Sequence, residues 1–107
     1  MGRVIENFLD KNLPADEASE VKRFLQQGFC YNGQIVIASV FVFAKEHGKS
    51  VSDVLPLMRQ EWTRNWRYQH PDICGSADAP GGAGLQNRAS LGNIYSALGI
   101  RSPLVRG

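Results

Sequence analysis

Residues 43–55, FAKEHGKSVSDVL, contain a Gly-Lys-Ser triplet that could bind phosphate, turn a DNA-reading helix pair, or join two packing helices. A phosphate-binding loop also needs a glycine five residues before the glycine of this triplet, so that bare backbone amides can wrap the phosphates. That position is Phe43, and no strand is predicted ahead of it. The triplet therefore does not indicate a nucleotide-binding site.

The same triplet fits a helix-turn-helix in part. Ala44 lies four residues before Gly48 and Val54 lies six residues after it, which is the spacing typical of a tight helix crossing. However, Pro56 falls within the would-be DNA-reading helix. A glycine stop followed by a serine cap is also how two packing helices are commonly joined. We predict such a packing joint and keep DNA reading as the alternative.

In that alternative, the protein is a DNA-binding regulator that uses residues 43–67. Its candidate DNA-contacting residues are Lys45, Lys49 and Arg59. The net charge of +2 falls well short of the basic footprint of a dedicated nucleic-acid binder. Nucleic acid is therefore kept only as the second class of partner.

Arginines and aromatic residues are interleaved between residues 59 and 70, a composition that can stack nucleotides or pair with acidic groups. A helical wheel places both tryptophans, Trp62 and Trp66, on the core side and two arginines, Arg64 and Arg67, outside. Arginine is enriched at protein interfaces, so we predict a protein-binding surface here. The candidate partner-binding residues are Arg59, Arg64 and Arg67.

Four residues could supply soft ligands to zinc, namely Cys30, His47, His70 and Cys74. Only the last two are close in sequence, and the other gaps do not match a compact zinc module. No Ser-His-acid set or carboxylate pair can be assembled from spacing. We therefore expect no metal, no cofactor and no enzymatic activity.

The 107 residues suffice for one hydrophobic core, and 43% hydrophobic with 21% charged residues is an ordinary globular composition. The longest apolar run, residues 35–44 interrupted by Ser39, has about half of the roughly twenty residues that a membrane span needs. Two cysteines cannot form a dense disulfide framework, and no secretory signal opens the chain. These features favour a cytoplasmic protein that is not embedded in a membrane.

Several segments have apolar residues at helical spacing. The first holds Val4, Ile5, Phe8 and Leu9 on one side. A second helix is predicted to begin at Pro14 and end at Gly28, with Ala18, Val21, Phe24 and Leu25 as its apolar stripe. Another comes after Ser50, which forms a partial capping box with Asp53, and carries Val51, Leu55 and Met58 on its core stripe with both tryptophans. A short last helix, with Leu91, Ile94, Tyr95 and Leu98 at helical spacing, is predicted before Gly99.

Residues 29–48 are ambiguous between a helix and a β-hairpin. Asn32-Gly33 between apolar runs is the strongest short hairpin signal, and Ile, Val and Phe dominate residues 35–43 after it. Against the hairpin, the apolar run continues directly into a segment typical of a helix C-terminus, with Gly48 as its stop. We predict one buried helix over residues 33–47 with Asn32 as its cap.

The sequence thus predicts an all-α, single-domain bundle of about four to five helices. Its parts are a helical core at 1–70, a Gly/Ala/Pro-rich loop at 71–84, a short C-terminal helix at 85–99 and a frayed tail at 100–107. The predicted function is that of a non-enzymatic binding protein, an adaptor, inhibitor or small subunit, acting on a protein partner. Small size also favours self-association into a homo-oligomer.

Overall fold

A computed structural model describes residues 2–26, 31–64 and 88–101, with the backbone alone at 31–33, 62–64 and 88–90. This part of the chain forms five α-helices and contains no strand, so the predicted all-α bundle is confirmed. The helices are α1 (Arg3–Asn12), α2 (Ala15–Leu25), α3 (Tyr31–Glu46), α4 (Val51–Arg64) and α5 (Arg88–Leu98). The predicted loop at 71–84 and the tail beyond residue 101 lie outside the described residues.

The central helix is α3, and the alternative of a β-hairpin across this segment is wrong. The backbone is already helical at Tyr31, so Asn32 lies in the first turn and is not the predicted cap. Helices α1, α2 and α4 all pack against α3, which covers its apolar surface from several directions. Its buried residues are Ile37, Ala38, Val40, Phe41, Val42 and Ala44. Burial of this much apolar area outweighs the local Asn-Gly turn signal.

Helices α1 and α2 pack with amphipathic stripes, as their patterns predict. Ile5 and Leu9 are buried on α1, and the buried residues of α2 are Ala18, Val21, Phe24 and Leu25. Val4 departs from the prediction because its side chain is 68% exposed. Pro14, predicted as the first helical residue, is instead the N-cap of α2, and the helix begins one residue later at Ala15.

Helix α4 runs without interruption through Pro56. The proline nitrogen cannot donate to the carbonyl of Ser52, four residues earlier. Both residues are exposed, so water can bind that carbonyl. The predicted core stripe is confirmed for Val51, Leu55 and Met58. The side chain of Trp62 and all of Trp66 lie outside the described residues.

The last helix, α5, packs mainly against α4. It buries the residues that the pattern predicts, which are Leu91, Ile94, Tyr95 and Leu98. The Tyr95 ring meets the Phe43 ring edge to face at 5.5 Å, which ties α5 to α3 as well. Among the described helices, none has both the length and the apolar character needed to cross a membrane.

Candidate functional site

The Gly48-Lys49-Ser50 triplet forms the joint between α3 and α4. Gly48 has a φ of +81°, a conformation that side-chain-bearing residues rarely adopt. Its N–H donates to the carbonyl of Lys45 at 3.1 Å, and the N–H of Lys49 donates to the carbonyl of Ala44 at 2.9 Å. This pair of hydrogen bonds is a Schellman motif, which ends α3 at the predicted glycine stop.

The last residue of the triplet, Ser50, caps α4 through the predicted capping box. Its Oγ accepts a hydrogen bond from the N–H of Asp53 at 3.2 Å, and Asp53 Oδ2 accepts one from the N–H of Ser50 at 2.9 Å. The hydrogen bonds from Ser50 lower the pKa of the Asp53 carboxyl, and the charge of Lys49 lowers it further. The backbone of the triplet is therefore used by local structure.

A carboxylate from α2 holds this joint in place. Glu17 Oε1 accepts a hydrogen bond from Lys45 Nζ at 2.6 Å, and its Oε2 accepts one from the N–H of Val51 at 2.9 Å. The Lys45 hydrogen bond, followed by that from Val51, lowers the pKa of Glu17, although partial burial opposes the shift. One side chain thus connects α2 with the end of α3 and the start of α4.

Between α2 and α4 lies a groove of about 160 Å³, which we call the α2–α4 groove. Its lining residues are Glu20, Arg23, Phe24, Leu55 and Arg59. Phe24 and Leu55 are 2% and 6% exposed, so the groove has an apolar base, whereas both arginines are exposed. Within the described residues, neither arginine forms an ion pair. The arrangement presents two guanidinium groups that can bind an anionic group.

A second depression, the α4–α5 cleft, has a volume of about 220 Å³. Its lining residues are Leu57, Gln60, Glu61, Asn93, Ile94 and Ala97. Glu61 is only 5% exposed, and its Oε1 accepts a hydrogen bond from Asn93 Nδ2 at 2.9 Å. That hydrogen bond joins α4 to α5. It also compensates part of the free energy that burial of a carboxylate costs. Among the described residues that line the cleft, Glu61 is the one acid, so they offer no carboxylate pair for acid–base chemistry.

The structure places the predicted partner-binding and DNA-contacting residues in different surroundings. Arg59 lies exposed at the α2–α4 groove, whereas Lys45 is paired with Glu17. Lys49 is half-buried beside Asp53. The Arg64 side chain and all of Arg67 lie outside the described residues. The three candidate DNA-contacting cations therefore do not form one array of unpaired charge.

Of the four candidate zinc ligands, only His47 is among the described residues. Its Nδ1 is 2.9 Å from the carbonyl oxygen of Phe43, and the two rings lie 4.2 Å apart between centroids. The other three candidates, Cys30, His70 and Cys74, lie outside the described ranges. Within those ranges, no group of three or more His, Cys, Asp or Glu residues is placed to hold a metal ion.

Sequence reasoning misses three residues of these sites, namely Glu17, Arg23 and Glu61. The sequence indicates only that Glu17 lies at the positive end of α2, and it gives Arg23 no role. The helical pattern of α2 does indicate that Arg23 faces outward. Its position across a groove from Arg59 depends on how α2 packs against α4, and no local signal encodes that packing.

Comparison with family models, with curated proteins and with solved structures gave no significant match to this chain.

Proposed function

We propose that this protein is a non-enzymatic helical binding protein that acts through protein–protein interaction, as an adaptor, inhibitor or small subunit. The observation that carries the proposal is the α2–α4 groove, where Arg23 and Arg59 flank an apolar base. Arginine beside apolar surface is a common composition of interface hot spots, because its guanidinium forms bidentate pairs with carboxylates. The groove is small, so it would anchor a larger contact of about 800 Å² on each partner.

The alternative function is DNA binding through residues 43–67. It has less support, because Lys45 is engaged by Glu17 and Lys49 lies beside Asp53. A DNA-binding protein would rely on several unpaired cations, and its affinity would fall steeply as salt is raised. Fluorescence anisotropy with a duplex at low salt measures this directly. A salt-sensitive affinity that Lys49→Ala lowers would favour this alternative over the protein-binding proposal.

The protein-binding proposal is tested by quantitative affinity capture from lysate of the source cells, together with light scattering. We expect the wild type to recover a defined protein, and Arg59→Glu to lose most of that recovery. The control is Arg3→Glu, which makes the same charge change at an exposed position on α1. If the partner is a second copy of this chain, light scattering should show a dimer that Arg59→Glu dissociates. A strict monomer that recovers no protein would overturn the proposal.

A further inference from the structure

We propose that the α2–α4 groove recognises a carboxylate side chain of an acidic protein segment, held between Arg23 and Arg59. The inference rests on the protein-binding function proposed above and specifies the chemistry of the partner. Both arginines line the same groove from different helices, so one anion can contact both. Planar guanidinium groups match the two oxygens of a carboxylate.

The size of the groove favours a single side chain as its occupant. Its volume of about 160 Å³ is below the range of about 300–1,000 Å³ that is typical of small-molecule pockets. The buried side chains of Phe24 and Leu55 form an apolar base, which can contact the methylene groups of an aspartate or glutamate.

The charge of the groove favours a carboxylate over a phosphate. Arg23 and Arg59 contribute two positive charges and Glu20 contributes one negative charge, so the described lining residues carry a net charge of +1. A carboxylate, with one negative charge, neutralises this lining. A phosphate monoester carries about −1.5 to −2 at neutral pH, and its excess negative charge would lie near Glu20. Glu20 thus acts as a selectivity residue against phosphorylated segments and nucleic acid.

The test is a nuclear magnetic resonance titration of the isolated full chain with an acetylated hexaglutamate peptide. We expect the peptide to shift amide signals of α2 and α4 around the α2–α4 groove, and hexaglutamine to leave them unchanged. Arg23→Gln and Arg59→Gln should each weaken binding about tenfold, because each removes one charge-assisted pair. Arg3→Gln removes the same charge on α1 and should change the affinity less than twofold. Circular dichroism checks that each variant keeps its helices.

A phosphoserine peptide of equal length and a short DNA duplex test the selectivity. The wild type should bind hexaglutamate more tightly than either probe, and Glu20→Gln should improve the phosphopeptide affinity more than the hexaglutamate affinity. Tighter binding of the phosphopeptide or the duplex to the wild type would overturn the carboxylate assignment. So would equal affinities of Arg23→Gln, Arg59→Gln and Arg3→Gln for hexaglutamate.

Failure of this inference is distinguishable from failure of the proposed function. The titration reports on the α2–α4 groove alone, whereas affinity capture reports on any protein-binding surface. If capture recovers a partner but the peptide does not bind at the groove, the protein-binding function stands and the carboxylate site is refuted. If capture and light scattering both find no partner, the protein-binding function itself fails.

Discussion

Replacement of Glu17 by alanine tests whether a carboxylate from α2 stabilises the joint between α3 and α4. The side chain is 13% exposed and accepts two hydrogen bonds, from Lys45 Nζ and from the N–H of Val51. Alanine removes both bonds. The N–H of Val51 lies in the first turn of α4, where no intrahelical partner exists for it, so it would lose its acceptor.

The expected loss is about 2 kcal/mol in the free energy of unfolding. A hydrogen bond to a charged group contributes about 1.5–3 kcal/mol when it is shielded from water, which applies to the bond from Val51. The bond from Lys45 counts for less, about 0.5 kcal/mol, because the Lys45 side chain is 38% exposed and solvent screens the pair. The loss is a large part of the roughly 5–15 kcal/mol that stabilises a domain.

Urea unfolding at pH 7, followed by circular dichroism, measures this loss. The matched control is Asp16→Ala, which removes the neighbouring exposed carboxylate in the same first turn of α2. Because Asp16 acts only through the helix terminus, its removal should cost about 0.5 kcal/mol or less. Equal losses for the two variants would refute the conclusion that Glu17 stabilises the joint.

The difference in stability between wild type and Glu17→Ala should depend on pH. The folded state lowers the pKa of Glu17 below its ordinary value of 4.5. Its contribution to stability is therefore complete above that value and is lost as the pH falls through the lowered pKa. The difference in stability between wild type and Glu17→Ala should shrink between pH 5 and the acid limit of folding. A difference that stays constant over this range would contradict the role of the charged carboxylate.

Three further substitutions test local features of the helices, each by thermal or urea unfolding. Gly92→Ala should stabilise α5 by about 0.5–1 kcal/mol, because a Cβ there would meet nothing within 4 Å. Gly48→Ala should instead destabilise the protein by about 1–2 kcal/mol, because its φ of +81° strains any side chain; stabilisation would contradict the Schellman geometry. Met58→Ala should cost about 2–5 kcal/mol through the cavity it leaves, and a loss below 1 kcal/mol would contradict its fully buried position.

The helix ends were predictable from sequence where their signals are local. Gly48 and Gly99 end α3 and α5 with a positive φ, and Ser50 caps α4. Each of these motifs involves hydrogen bonds between residues at most five positions apart, so the residue types themselves determine it. The amphipathic stripes of α1, α2, α4 and α5 were predictable for the same reason, since one period of apolar residues defines one buried face.

Local sequence signals did not decide between a helix and a hairpin for residues 29–48. An Asn-Gly turn and a run of β-branched residues favour a hairpin, while an apolar run that leads directly into a glycine stop favours a helix. The helix forms because α1, α2 and α4 surround it and bury residues on several of its sides. That burial depends on three other helices, so no window of sequence could contain it.

The candidate site was likewise predictable from the sequence only in part. The sequence by itself determined the core stripe of α4 and singled out Arg59 by its residue type, but the helical wheel did not show what Arg59 faces. Only the tertiary structure decided that Arg59 shares a groove with Arg23, and that Glu17 and Glu61 bind groups on other helices. A helical wheel shows which side a residue faces, but the packing of the apolar stripes determines what lies opposite.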